Sequence, residues 1–98
     1  MVKNEMVTAK WNGVVIAESD KTVIVENNHY FPVESVNMKY LKKSGNTYQC
    51  AWKGLADYYN VEVNGKINED AAWCYPRPTP AAKQIAGYYA FWKGVEVK

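Results

Sequence analysis

Residue pairs that favour tight turns recur at short intervals along this chain, and they restrict it to short strands. Asn12-Gly13 and Asn64-Gly65 each stand between two stretches rich in valine and aromatic residues. Both residues of an Asn-Gly pair tolerate positive φ, as a two-residue β-hairpin turn requires. The sequence therefore predicts two hairpins, with strands at residues 7–11 and 14–18 and at residues 58–63 and 66–68.

Further strands are predicted at residues 22–26, 48–52, 71–75, 88–92 and 95–97, with Lys93-Gly94 joining the last two in a third hairpin. Helix is scarce. Thr79 suits an N-cap, Pro80 suits the first helical position, and Gly87 can end the segment in a left-handed conformation. We therefore expect a mainly β fold. Its short antiparallel strands would form an open barrel or a tent-like sheet, with one short helix near residues 79–86.

The composition argues against a nucleic-acid-binding, a membrane-spanning or a secreted protein. The 98 residues fit one domain spanning 1–98, and the net charge of +2 is spread along the chain with Arg77 as its only arginine. This argues against a nucleic-acid partner, because phosphate and base recognition usually use clustered arginines and lysines. No apolar run reaches about 18 residues, so no membrane span is expected. Residues 1–6 lack the apolar stretch of a signal peptide, and two cysteines suit a reducing compartment, so we expect a cytoplasmic protein with free thiols.

A tryptophan followed by a turn and an apolar residue occurs three times. The three copies are Trp11-Asn12-Gly13-Val14, Trp52-Lys53-Gly54-Leu55 and Trp92-Lys93-Gly94-Val95. Their spacings are unequal, so they do not define a repeat protein. The simpler interpretation is a strand that ends in tryptophan, followed by a tight turn.

Longer motifs, in order, resemble domain-of-unknown-function family 427 over about residues 8–98. They include Trp11-Asn12-Gly13, Asn28-His29-Tyr30-Phe31-Pro32, Cys50-Ala51-Trp52-Lys53-Gly54, Asp70-Ala71-Ala72-Trp73 and Phe91-Trp92-Lys93-Gly94-Val95-Glu96-Val97. The resemblance implies a mainly β fold, related to the tent-like sheets of type B methionine-sulfoxide reductases and of the cereblon ligand-binding domain. It implies no activity. The family's occasional nucleotidyltransferase-like label has no support here, because the chain lacks a Gly-Ser pair before an acidic metal motif.

Four polar residues are candidates for catalysis, namely His29, Glu34, Cys50 and Lys53. His29 is the only histidine, so any mechanism based on histidine depends on it, although a lone histidine among aromatic residues is more often structural. A histidine and a lysine near Cys50 would lower the pKa of its thiol, but a cysteine between aromatic residues is usually a small buried hydrophobe. No metal site and no cofactor are expected, because two cysteines 24 residues apart and one histidine leave a zinc ligand missing.

Four aromatic residues are candidates for ligand binding, namely Trp52, Tyr59, Trp73 and Tyr75. On extended strands Trp73 and Tyr75 share one face, and Tyr59 shares a face with Asp57 and Val61. If these two faces meet, they form either a plain core or a cleft walled by rings. A plain core is the more usual outcome. The excess of tyrosine over phenylalanine, eight to two, supports the cleft as the alternative, because phenol groups seek water or polar partners.

Two functions follow from these candidates. The first is a domain that binds an unidentified small molecule in an aromatic-lined cleft, and that is an enzyme if the polar candidates converge there. The second is a non-catalytic module that uses exposed aromatic residues for protein interaction or oligomerisation. A concave cleft with His29 and Lys53 converging favours the first, whereas a flat aromatic patch favours the second.

Overall fold

The computed structural model describes residues 5–98, so most of the N-terminal stretch considered for a signal peptide lies outside the described residues. In the described part, the strands are β1 Val7–Trp11, β2 Val14–Ser19, β3 Val23–Val25, β4 Asn28–Tyr30, β5 Leu41–Cys50, β6 Gly54–Val63, β7 Lys66–Cys74, β8 Tyr89–Phe91 and β9 Glu96–Val97. Short 3₁₀ helices cover Val33–Ser35, Met38–Tyr40 and Pro80–Ile85. Within residues 5–98 no helix is long and apolar enough to cross a membrane.

The strands form three antiparallel sheets that do not close into a barrel. One sheet has the order β2-β1-β9, a second is the ribbon β3-β4, and the third has the order β5-β6-β7-β8. The expected mainly β fold of antiparallel strands is thus confirmed, although β5, β6 and β7 are longer than the sequence predicted.

Both Asn-Gly hairpins are confirmed. Asn12 and Gly13 have φ of 52° and 78°, and Asn64 and Gly65 have φ of 51° and 79°. These left-handed values are the ones a two-residue turn of this kind needs. The hairpins join β1 to β2 and β6 to β7.

The third predicted hairpin is wrong, although Lys93 and Gly94 do form a turn with positive φ. After the turn, β9 pairs with β1 of the other sheet, where Ala9 lies opposite Val97. One edge of β8 is already paired with β7, and its other edge is bonded to Phe31 through a bridge at Tyr89. Because Phe31 already occupies the outer edge of β8 at Tyr89, the chain continues to the three-stranded sheet.

The short helix near residues 79–86 is present, but it is a 3₁₀ segment rather than an α-helix. It begins at Pro80 and is kinked at Ala82, where φ is −117°. The side chain of Thr79 makes no capping hydrogen bond to this segment, and its hydroxyl donates to the Trp52 carbonyl. Gly87 follows with φ of 75°, as expected for a left-handed end.

The β5–β8 sheet has buried residues on both of its faces. The larger cluster lies between this sheet and the three-stranded sheet, and it includes Ile16, Val61, Ala72 and Phe91. The smaller cluster lies on the opposite face, where the β3-β4 ribbon and residues 80–85 cover Ala56, Tyr75 and Ala90. We call the first face the closed face and the second the open face, because the ribbon and the 3₁₀ segment cover only part of it.

Candidate functional site

A cleft of about 380 Å³ lies on the open face beside the smaller cluster. Its lining is mostly aromatic, with one lysine and one asparagine. The lining residues are Asn28, Tyr48, Lys53, Ala56, Tyr58, Trp73, Tyr75 and Trp92.

Strand register brings three of these rings together. Tyr58 on β6 lies directly opposite Trp73 on β7, so both side chains point to the open face. Trp92 follows β8 and stacks on Tyr58 with ring centroids 6.3 Å apart and an interplanar angle of 9°. It also meets Trp73 edge-on at 5.7 Å. These three rings form one wall of the cleft, which we call the ring wall.

The ring wall is anchored by hydrogen bonds from its indole groups. Trp73 Nε1 donates to the hydroxyl of fully buried Tyr30 at 3.0 Å. Trp92 Nε1 donates to the carbonyl of Asp70 on β7. These hydrogen bonds fix the positions of both indole rings. Trp92 is fixed in this way although 43% of it is accessible to solvent.

Lys53 and Tyr75 also line the cleft, in a part that we call the Lys53 end, and only 6% of Lys53 is exposed. It belongs to the turn between β5 and β6, which Thr79 N fixes by donating to the Lys53 carbonyl at 2.9 Å. Its Nζ lies 5.4 Å from the centroid of Tyr75 and 5.5 Å from that of Trp52. The ammonium donates to the Glu26 carboxylate, which approaches from the turn of the β3-β4 ribbon.

The electrostatics of this end favour a charged lysine and neutral phenols. Burial is the largest single influence and disfavours the Lys53 ammonium, but the hydrogen bond to Glu26 and the charge interactions with Tyr30, Tyr75 and Glu26 together outweigh it, so the pKa of Lys53 is raised above its ordinary value. Hydrogen bonds from Lys53 and Trp52 lower the pKa of Glu26. Burial raises the pKa of Tyr75 to about 12, so its hydroxyl stays protonated and can donate.

The sequence as a whole matches the family described as domain of unknown function (DUF427), over residues 2–98. The chain belongs to that family. No curated protein matches it. The family assignment confirms the resemblance seen in the motifs, and it supplies no substrate, partner or activity for a DUF427 domain.

Three of the eight candidate residues meet in the cleft of this DUF427 domain, namely Lys53, Trp73 and Tyr75. Trp52 lies beside them, with its ring next to the Lys53 ammonium and its Nε1 donating to Glu26 at 3.4 Å. The strand predicted at residues 48–52 ends at Cys50, so Trp52 lies in the turn that follows β5. Cys50 is half-buried and packs against the smaller cluster.

Tyr59 lies on the closed face and not in the cleft. It packs edge-on against Tyr89 at 5.2 Å, within the larger cluster. The expectation that the Tyr59 face would meet that of Trp73 and Tyr75 is therefore wrong. Tyr58, and not Tyr59, lies opposite Trp73, so the two predicted faces are opposite sides of one sheet.

His29 and Glu34 also lie away from the cleft. His29 Nδ1 shares a hydrogen bond of 2.8 Å with the Thr22 hydroxyl and lines a separate depression with Asp20 and Ile24. Glu34 is exposed in the first turn of a 3₁₀ helix. His29 and Lys53 consequently do not converge, and the hydrogen bond between His29 and Thr22 fits the structural interpretation of His29.

The sequence reasoning missed Glu26, Tyr58 and Trp92. For Trp92 the sequence did contain a usable signal, because residues 92–94 repeat the Trp-Lys-Gly sequence of residues 52–54. In both copies the lysine Nζ lies over the preceding tryptophan, at 5.5 Å and 5.1 Å, and the glycine has positive φ. Both copies border the cleft. Trp11, which is followed by asparagine, packs against the larger cluster instead.

The two cysteines remain free thiols in the structure. Cys74 lies on the closed face, where burial raises the pKa of its thiol to about 11. Within residues 5–98, no group of three or more histidine, cysteine, aspartate and glutamate side chains is arranged to hold a metal ion.

Proposed function

We propose that this DUF427 domain binds a small planar molecule in the open-face cleft, with Lys53 as the anchor for a polar group of that molecule. One observation carries the proposal, namely a ring wall that lines the same cleft as a buried lysine that stays charged. A volume of about 380 Å³ lies within the range of small-molecule sites, which is roughly 300–1,000 Å³.

The ring wall supplies the apolar part of the recognition. Tyr58, Trp73 and Trp92 leave ring faces accessible within the cleft, and stacking a planar ligand there would remove these faces from water. The indole N–H groups of Trp73 and Trp92 are already bonded to Tyr30 and Asp70. The wall therefore offers surface and shape, and the polar recognition falls to the Lys53 end.

Binding is better supported than catalysis. A raised pKa keeps Lys53 protonated at neutral pH, so its amine is not available as a nucleophile or a base. His29 lines a different depression and cannot assist a reaction beside Lys53. What the lysine offers is a fixed positive charge with N–H donors.

A second candidate, a protein-interaction module, is favoured by the exposure of Tyr48, Trp52 and Trp92, at 54%, 41% and 43%. Tyr48 and Trp92 line a concave cleft, however, and do not form a flat patch. The two functions therefore predict different ligands, a small molecule in the first case and a protein in the second.

The test is a titration of the ¹⁵N-labelled protein with a library of planar aromatic fragments, followed by NMR. We expect shifts at the ring wall and at Lys53, and we expect Trp92→Leu to weaken binding about tenfold or more. Trp11→Leu is the matched control, because Trp11 packs on the closed face. A library without one binder, or equal losses in both variants, would contradict the small-molecule function and leave the interaction module as the better candidate.

A further inference from the structure

The Glu26 carboxylate is held at both of its oxygens by groups of the Lys53 end. Lys53 Nζ donates to Oε1, and Trp52 Nε1 donates to Oε2 at 3.4 Å. An ammonium and an indole N–H directed at the two oxygens of one carboxylate form a two-point receptor for that group. The bound Glu26 side chain thus shows that the groups of the Lys53 end can hold a carboxylate.

The two members of the ion pair differ in how firmly they are held. The side chain of Lys53 is 7% exposed, whereas that of Glu26 is 52% exposed. Glu26 occupies the two-residue turn of a ribbon whose strands have only three residues each, and it has φ of 52°. Ribbons this short have little stability of their own. The receptor is therefore part of the packed fold, and its present occupant is a surface side chain.

A buried ammonium needs an anionic partner, because an uncompensated buried charge is strongly destabilising. Glu26 meets that need from solvent, through a long side chain that loses rotamer freedom when it is ordered. A ligand that brings its own carboxylate would meet the same need. It would gain ring burial in addition, which Glu26 cannot provide.

The spacing along the open face suits such a ligand. Tyr75, which borders the Lys53 ammonium, and Trp73 of the ring wall are two residues apart on extended chain, which corresponds to about 7 Å. This is about the length of one aromatic ring joined to a carboxylate. The Tyr75 hydroxyl stays protonated beside the same ammonium and adds a donor.

Building on the proposed function, we infer that the ligand is a planar carboxylic acid whose carboxylate replaces that of Glu26 on Lys53 and Trp52. Its ring lies against Trp73 and Trp92. Glu26 acts as an internal competitor that fills the receptor when the cleft is empty. Displacement of Glu26 frees the turn of the β3-β4 ribbon, so binding at Lys53 alters the surface of that ribbon.

The test compares benzoate with benzamide, which have the same ring and differ in charge, by NMR titration. In the parent protein we expect benzoate to bind more tightly than benzamide. In Glu26→Gln the competitor is neutral, so the affinity for benzoate should rise about tenfold while that for benzamide stays unchanged. Lys53→Gln should remove the preference for benzoate.

Trp52→Phe provides a second route that leaves the ion pair in place, in case Glu26→Gln does not fold. It keeps the aromatic bulk and removes the N–H group, so it should weaken benzoate and not benzamide. Equal affinities for the two probes in every variant would overturn the inference while leaving the proposed function standing. Failure of both probes and of the wider fragment library would overturn both.

Discussion

The two faces of the β5–β8 sheet carry similar rings in different surroundings. On the closed face, Tyr59 meets Tyr89 inside a core completed by the three-stranded sheet. On the open face, Tyr58 meets Trp92 at the edge of a cleft. Tyr58 and Tyr59 are neighbours in the chain, so composition cannot distinguish them. What differs is the layer opposite each face.

Strand β6 therefore contributes both to the core, through Tyr59, and to the cleft, through Tyr58. A complete second sheet covers the closed face, so its rings contribute burial. The open face is covered only in part, by the β3-β4 ribbon and by the 3₁₀ segment at residues 80–85. The rings beyond the edge of this cover remain available for contact with a ligand. The cleft is the part of an aromatic face that its cover does not reach.

The largest expected difference between the faces is in stability, and neighbouring residues test it. Phe91 is 5% exposed on the closed face, so Phe91→Ala should destabilise the domain by about 3–5 kcal/mol. Trp92→Ala removes a 43% exposed ring and its stacking, so it should cost about 1–2 kcal/mol. Urea denaturation measures both. Equal losses would mean that the open face is as much a core as the closed one.

A smaller effect is expected at the backbone that carries the Lys53 end. Gly54 has φ of 110°, and a Cβ there would lie 3.4 Å from Pro78 Cα and Thr79 N. Gly54→Ala should therefore destabilise by about 2 kcal/mol. Gly13 has φ of 78° with nothing within 4 Å of a Cβ, so Gly13→Ala, as the control, should cost about 1 kcal/mol. Unchanged melting temperatures in both variants would contradict the structure of these turns.

The Lys53 end of the open face should also respond to acid. The pKa of Glu26 is lowered by its hydrogen bonds to Lys53 and Trp52, so its contribution to stability is complete above its ordinary pKa of 4.5 and is lost as the pH falls through the lowered value. The stability difference between the parent and Glu26→Gln should be constant near neutral pH and shrink below pH 4.5. Unfolding curves at several pH values measure it.

Phe91→Leu is the control for this pH dependence, because the substitution changes no ionisable group on the closed face. Its stability difference from the parent should stay constant across the same pH range. A difference for Glu26→Gln that is equally constant would mean that the ion pair adds nothing to folding.

The smallest effect concerns thiol reactivity and leaves stability unchanged. Cys74 is buried on the closed face with its pKa raised to about 11, whereas Cys50 is half-buried beside the smaller cluster. In the native protein a thiol reagent should modify Cys50 before Cys74, because reaction requires an accessible thiolate. In denaturant without reductant, two thiols should titrate. Finding none would show that the cysteines are oxidised.

The sequence by itself determined the features that depend on neighbouring residues. The two Asn-Gly turns, the mainly β class, the end of the 79–86 segment at Gly87 and the shared face of Trp73 and Tyr75 all follow from local backbone preferences and from the two-residue period of a strand. The family motifs were also legible in the sequence. Lys53 could be picked out as a candidate, but its counter-ion could not.

Only the tertiary structure decided which rings form the cleft. The register of β6 against β7, with an irregularity between Tyr59 and Val61, sets Tyr58 and not Tyr59 beside Trp73. A shift of one residue exchanges the two faces of a strand, and nothing local to the tyrosines fixes it. The partner of β9 depended in the same way on which edges other strands had left free. Glu26 reaches Lys53 across 27 residues of chain, through the turn of a separate ribbon. Contacts at such separations are selected by the packing of whole sheets, so the cleft and its charged end could be seen only once the sheets had been placed.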